Sequence, residues 1–193
     1  MRNMKYILSI DIGIHNLGLS LTEVTDEYEF VDIIHVAVVD ITKCKSLKTC
    51  QLDHCPTIAD WMRHFMEDWK IILDGADVIL LERQPPQGLV AIEQILFFQY
   101  RDKAILVHPR VVHSYLACGH LDYEGRKMFS EKAAWMYLTG ETREIFSWHE
   151  RKHDMADSIC MMLWWTNQQR KIERIKQKME ASGLDQFWYV PKL

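Results

Sequence analysis

The chain has 193 residues, 48% of them hydrophobic, and a formal net charge of −4 at pH 7, which suits a single folded domain with a proper core and is no general signature of a nucleic-acid binder. No stretch approaches the roughly 18 uninterrupted apolar residues of a membrane helix, and residues 1–5 lead into a strand-like run rather than a signal peptide, so the expectation is a soluble, unexported protein. Five irregularly spaced cysteines argue for reduced thiols in a reducing compartment.

Residues 6–11 (YILSID), 17–24 (LGLSLTEV) and 30–39 (FVDIIHVAVV) are rich in Ile, Val and Leu and separated by turn residues, which predicts three consecutive strands in an antiparallel meander. Residues 58–73 (IADWMRHFMEDWKIIL) carry apolar side chains at helical spacing and stop at Asp74-Gly75. Residues 77–81 (DVILL) form a short buried strand ending on Glu82, before the Pro85-Pro86 break. A helix over 89–100, a fifth strand over 104–108 and helices over 130–138 and 152–179 follow, the last apolar in its first half and basic in its second. The order describes an α/β fold, a mixed five-stranded sheet flanked by helices.

Four carboxylates stand out against this layout. Asp11 closes the first strand and Glu82 the fourth, while Asp154 and Asp157, three apart on the last helix, share one face. If the first and fourth strands are neighbours, all four acids converge. Mutual repulsion would then demand cations, and an oxygen-rich acidic cluster suits Mg²⁺ or Mn²⁺. Each acid also has an ordinary reading: Asp11 as a turn or cap residue, Glu82-Arg83 as a surface pair, Asp154 and Asp157 as acids favouring a helix start.

The runs SIDIG followed by Asn16, LLERQP at 80–85 and RKHDMADS at 151–158 resemble the poxvirus-type Holliday junction resolvases, relatives of the bacterial RuvC-type enzymes. The likeness spans nearly the whole chain. It implies one ribonuclease H-like (RuvC-like) domain over 1–193, a homodimer, and Mg²⁺-dependent paired nicking of four-way and other branched DNA, with Mn²⁺ able to substitute and two ions per site. It also implies a viral enzyme of recombination and replication, working in the host cytoplasm. Asp11, Glu82, Asp154 and Asp157 fall on the family's four metal-binding acids, and Lys127, with Lys132 as second choice, on its active-site lysine. Two ions about 3.5 to 4 Å apart would activate water and stabilise the leaving 3′ oxygen. His153 precedes the acidic pair and is expected to point away from its face.

Candidate phosphate contacts are Arg83, Arg126, Lys127, Lys132 and the basic tail Arg170, Lys171 and Arg174, although a run of mixed charge also describes a plain solvated helix face. Trp164 and Trp165 read as core. The apolar segment 89–100 suits either a buried helix or a subunit interface. Between the third strand and first helix, an insertion at about 40–56 holds Cys44, Cys50, His54 and Cys55, a complete tetrahedral zinc set whose spacing fits no standard knuckle; the other reading is free thiols in a surface insertion. Rival functions are a ribonuclease H acting on RNA–DNA hybrids, a non-catalytic junction binder, and an actin- or sugar-kinase-like ATPase, whose phosphate loop D-I-G-x-x-N-x-G resembles 11–18.

Overall fold

The computed structural model describes residues 4–182, apart from His54. Strands β1 (Met4–Asp11), β2 (Leu17–Thr25) and β3 (Phe30–Val39) form the antiparallel meander, and β4 (Val78–Glu82) and β5 (Ala104–Val107) add parallel to its far side. The sheet order is β3-β2-β1-β4-β5, so β1 is central and neighbours β4. The helices are α1 (Ile58–Asp68), α2 (Lys70–Gly75), α3 (Val90–Gln99), α4 (Pro109–Tyr115), α5 (Tyr123–Trp135), α6 (Gly140–Trp148) and α7 (Lys152–Ala181).

Both faces of the sheet are buried, and the two-residue period of the strands sorts their side chains between two cores. Leu8, Ile10, Ile79 and Leu81 pack with Met62 and Phe65 of α1 and Ile92 and Leu96 of α3. Ile7, Leu80 and Val107 pack on the other face with Met155, Ile159 and Met162 of α7. By the same alternation Asp11 and Glu82, even steps from Ile7 and Leu80, project toward the α7 face. Small residues line that face: Ser9 pairs with Ser20, and Gly18 pairs with Asp11. They let α7 settle close, because a Cβ at Gly18 would stand 2.0 Å from the Asp154 carbonyl oxygen.

All five expected strands form. The expected helix over 58–73 is instead two helices, α1 and α2, because Trp69 leaves helical geometry at φ −103° and ψ 12°, with its ring against Phe65 and His35. The expected helix over 130–138 begins earlier, where the Asp122 carboxylate caps the Gly125 N–H at 2.8 Å. Helix α4 went unpredicted although His108 caps it and Pro109 occupies its first turn. So did α6, whose Gly140 takes a φ of +44° that glycine accepts readily. Trp165 is buried and Trp164 packs against the same core, as expected. Segment 89–100 divides between its two readings: Ile92, Leu96 and Tyr100 are core, Ile95 packs partly buried beside them, and Phe98 is 84% exposed.

Candidate active site

Strand register brings the first two acids together. Ile10 of β1 sits beside Leu81 of β4 in a parallel pair, so the next residues, Asp11 and Glu82, end their strands side by side. Helix α7 crosses this corner and presents Asp157 to the same cavity of about 180 Å³, whose wall also carries Tyr123, Arg126, Lys127 and Ser130 of α5. Residues from positions 11, 82 and 157 thus share one small chamber.

Crowding these carboxylates has an electrostatic consequence. Burial, then the charges of Glu82 and Asp157, raise the Asp11 carboxyl well above the usual range. Burial pushes Asp157 up to about 6, with Glu82 and Asp154 adding to it and the Ser130 hydroxyl partly offsetting. Glu82 is raised by burial, against the opposing effect of hydrogen bonds from Asp11 and Gln84. Such a cluster holds protons, or cations, with unusual force. An all-carboxylate donor set is hard and anionic, which fits Mg²⁺ or Mn²⁺ and fits softer metals poorly.

The fourth acid departs from the expected convergence. Asp154 is 7% exposed and lies outside the cavity wall, in a two-point ion pair with Arg151, whose Nε is 2.7 Å from Oδ2 and Nη2 3.3 Å from Oδ1. It is still near enough for its charge to raise both Asp11 and Asp157. Among the described residues, no three His, Cys, Asp or Glu side chains are drawn into a ready coordination set. His153 is not part of the cavity wall; its Nε2 lies 3.4 Å from Asp154 Oδ1 and 3.1 Å from Arg151 Nη2.

The two lysine candidates separate. Lys127 lines the acid cavity, its ammonium 4.1 Å from the centre of the Tyr123 ring and kept charged chiefly by Tyr123. Lys132 lines a different groove with Trp135, Phe146 and Lys152. Arg126 reaches the acid cavity while its Nη1 donates to the Leu121 carbonyl oxygen at 2.6 Å. Arg83 lies exposed on an adjoining groove with His108, Arg110 and His113. The tail residues Arg170, Lys171 and Arg174 stand 13 to 17 positions beyond Asp157 on the same helix, which at about 1.5 Å per residue puts them roughly 20 to 25 Å away. The structure does not bring them to the cavity.

In the Cys/His segment, Cys44 is buried among Ile41, Met62 and Phe65, and burial with nearby Asp68 and Asp40 pushes its thiol up to about 11. Cys50 is half-buried and Cys55 exposed, and His54 lies outside the described residues. Sequence reasoning missed Tyr123, Arg110 and His113 because α4 and the start of α5 were not recognised, while His108 and Ser130 lay at the edges of expected elements without being assigned a task. Gln84 and Arg151 stood inside the quoted motifs without being assigned a task.

No helix among the described residues is long and apolar enough to cross a membrane. No curated protein matches the chain. Its fold is similar to that of the fowlpox virus resolvase solved with substrate Holliday junction DNA, with a TM-score of 0.60 at 19% identity over 84% of this chain and 97% of that one. It is also similar to Ydc2, the yeast mitochondrial Holliday junction resolvase, with a TM-score of 0.68 at 19% identity over 92% and 84%. The Thermus thermophilus RuvC structure matches with a TM-score of 0.50 at 14% identity over 84% and 96%. These likenesses establish a RuvC-like fold, and since residues 5–169 match the family model described as Poxvirus A22 protein, the chain belongs to that family.

Proposed function

We infer that the protein is a structure-selective endonuclease that resolves four-way DNA junctions by metal-dependent phosphodiester hydrolysis. The observation that carries this reading is the meeting of Asp11, Glu82 and Asp157 in one cavity walled by Lys127. Two structural relatives with this fold are described as Holliday junction resolvases, which supports the choice of substrate.

Asp11, Glu82 and Asp157, with Asp154 beside them, are the residues that would hold the cations. Bound there, two Mg²⁺ or Mn²⁺ ions supply an activated water and charge stabilisation for the leaving 3′ oxygen. The protein's own share is geometric and electrostatic. Rigid strand ends fix Asp11 and Glu82, so little reorganisation accompanies the reaction. Lys127 sits where its ammonium can offset the charge of a phosphate entering the cavity. Asp154 joins the site once Arg151 turns to another anion, and a DNA phosphate is the natural exchange partner. Arg83 and Arg126 flank the cavity and contact the backbone, with Lys132 further out on α5.

The nuclease acts as one domain, with 40–56 as an insertion, in a reducing intracellular compartment. A homodimer supplies the two cuts, and the exposed Phe98 on the apolar helix α3 supports an interface there. Phe98→Glu should give a folded monomer by light scattering and circular dichroism, whereas an unchanged dimer would remove α3 from the interface. The activity is tested with end-labelled four-way junction, fork, linear duplex and RNA–DNA hybrid, each with Mg²⁺ and with chelator. Symmetric junction cleavage that the chelator abolishes is expected; preferential hybrid cleavage would assign a ribonuclease H instead.

A further inference from the structure

Glu93 of α3 is a buried carboxylate, 4% exposed, that the chemistry above does not use. A buried carboxylate is costly unless donors surround it. Its Oε2 accepts the Gln84 backbone N–H at 2.6 Å, and its Oε1 accepts the Gln94 side-chain amide at 2.8 Å. The first of these bonds falls at a telling place. The N–H of Arg83, bonded to the Val107 carbonyl oxygen, continues the β4–β5 pairing one residue past the end of β4, and Gln84 is the next residue, with no strand partner for its N–H. Two prolines follow that donate nothing. Glu93 therefore anchors the chain where it leaves the sheet.

The Gln84 side chain continues the relay. Its Nε2 donates to Glu82 Oε2 at 2.7 Å, and its Oε1 accepts the Leu89 backbone N–H at 3.2 Å. Only one orientation of the amide satisfies both partners, since a carboxylate needs a donor and an N–H needs an acceptor. The Leu89 N–H thus fixes which end of the amide faces Glu82. Gly88 makes room for this fold-back: a Cβ there would stand 2.9 Å from Gln84 Oε1 and 2.9 Å from the Pro85 ring.

We propose that Glu93 and Gln84 form a clamp that holds the Glu82 carboxylate in its cation-binding orientation, which makes both of them positioning residues. The inference rests on the reading of Glu82 as a metal ligand. Hydrogen-bonded supports of this kind typically change metal affinity or activity by about 10- to 100-fold when removed.

The test compares Gln84→Met, Glu93→Met, Glu93→Gln and Glu82→Gln with the wild-type protein. Mn²⁺ binding is measured without DNA by paramagnetic resonance, kcat and KM on a labelled junction with Mn²⁺, and folding by circular dichroism. The two methionine variants are expected to lose about tenfold in Mn²⁺ affinity and in kcat with KM unchanged, while Glu93→Gln, which still accepts the Gln84 N–H, stays within about threefold of wild type. Glu93→Gln falling as far as Glu93→Met would overturn the clamp. So would wild-type Mn²⁺ binding in Gln84→Met, a loop variant that decides the matter even if Glu93→Met fails to fold. Wild-type Mn²⁺ affinity in Glu82→Gln would instead overturn the ligand reading on which the clamp rests.

Discussion

Two regions of this molecule carry side chains that bind metals elsewhere, and they are organised in opposite ways. The acid cavity draws Asp11, Glu82 and Asp157 from distant parts of the chain into one chamber. The 40–56 segment carries Cys44, Cys50, His54 and Cys55 close in sequence, yet Cys44 turns into the apolar core while Cys55 faces solvent. The Cys44 thiol, pushed up to about 11 by burial, resists becoming the thiolate a metal needs. Strand register and a crossing helix bring Asp11, Glu82 and Asp157 to one cavity, whereas closeness along the chain leaves Cys44 and Cys55 in different environments.

The sharpest way to break the comparison is to neutralise the gathered acids. Asp11→Asn, Glu82→Gln, Asp154→Asn and Asp157→Asn should each lower junction cleavage by about 10³-fold or more, several kcal/mol of barrier, while binding in a gel-shift assay persists. Near-normal turnover by any one of them removes that residue from the site. Gly18→Ala comes next, because its Cβ would meet the Asp154 carbonyl oxygen at 2.0 Å and push the start of α7 off the sheet. A stability loss of about 3 kcal/mol is expected by denaturant titration, together with impaired cleavage.

Asp157→Asn should act oppositely on stability in metal-free buffer. The Asp157 carboxyl is raised to about 6, so the folded state holds its proton more tightly than the unfolded chain does. The wild type therefore loses stability as pH rises through 6, and the neutral asparagine avoids that loss. A gain of about 2 kcal/mol is expected at pH 7.5, vanishing near pH 4. A melting temperature unchanged at pH 7.5 would mean that the cavity does not strain the carboxylates. The smallest effects belong to the other region: Cys44→Ser should cost about 1 kcal/mol through a buried hydroxyl, and Cys55→Ser less than about 0.5. If the segment instead holds zinc, both substitutions and a chelator will lower the melting temperature comparably.

The sheet was legible because its strands are short apolar runs with clear turns, and Asp11 and Glu82 were legible because each ends such a run. Their adjacency followed from the parallel β1–β4 pairing, a topological expectation that the register of Ile10 with Leu81 bears out. Other features were hidden for physical reasons. The start of α5 carries Gly125 and polar residues that mask its helical period, so Tyr123 could not be placed beside Lys127. Spacing put Asp154 and Asp157 on one face, but a helix pattern says nothing of an arginine three residues back, and Arg151 takes Asp154 for itself. Segment 89–100 looked ambiguous because it is apolar all round, and the structure uses both faces, Leu96 inward and Phe98 outward.

If Asp11, Glu82 and Asp157 form one cation site for phosphodiester cleavage, Mn²⁺ should occupy it. Anomalous diffraction from crystals soaked in Mn²⁺ tests this most directly, with the wild-type protein and Asp11→Asn side by side. Mn²⁺ peaks coordinated by Asp11, Glu82 and Asp157 are expected in the wild type, with their loss or marked weakening in Asp11→Asn. Wild-type crystals without Mn²⁺ at these three carboxylates, grown from protein that cuts junctions in the same Mn²⁺ buffer, would contradict the shared cation site.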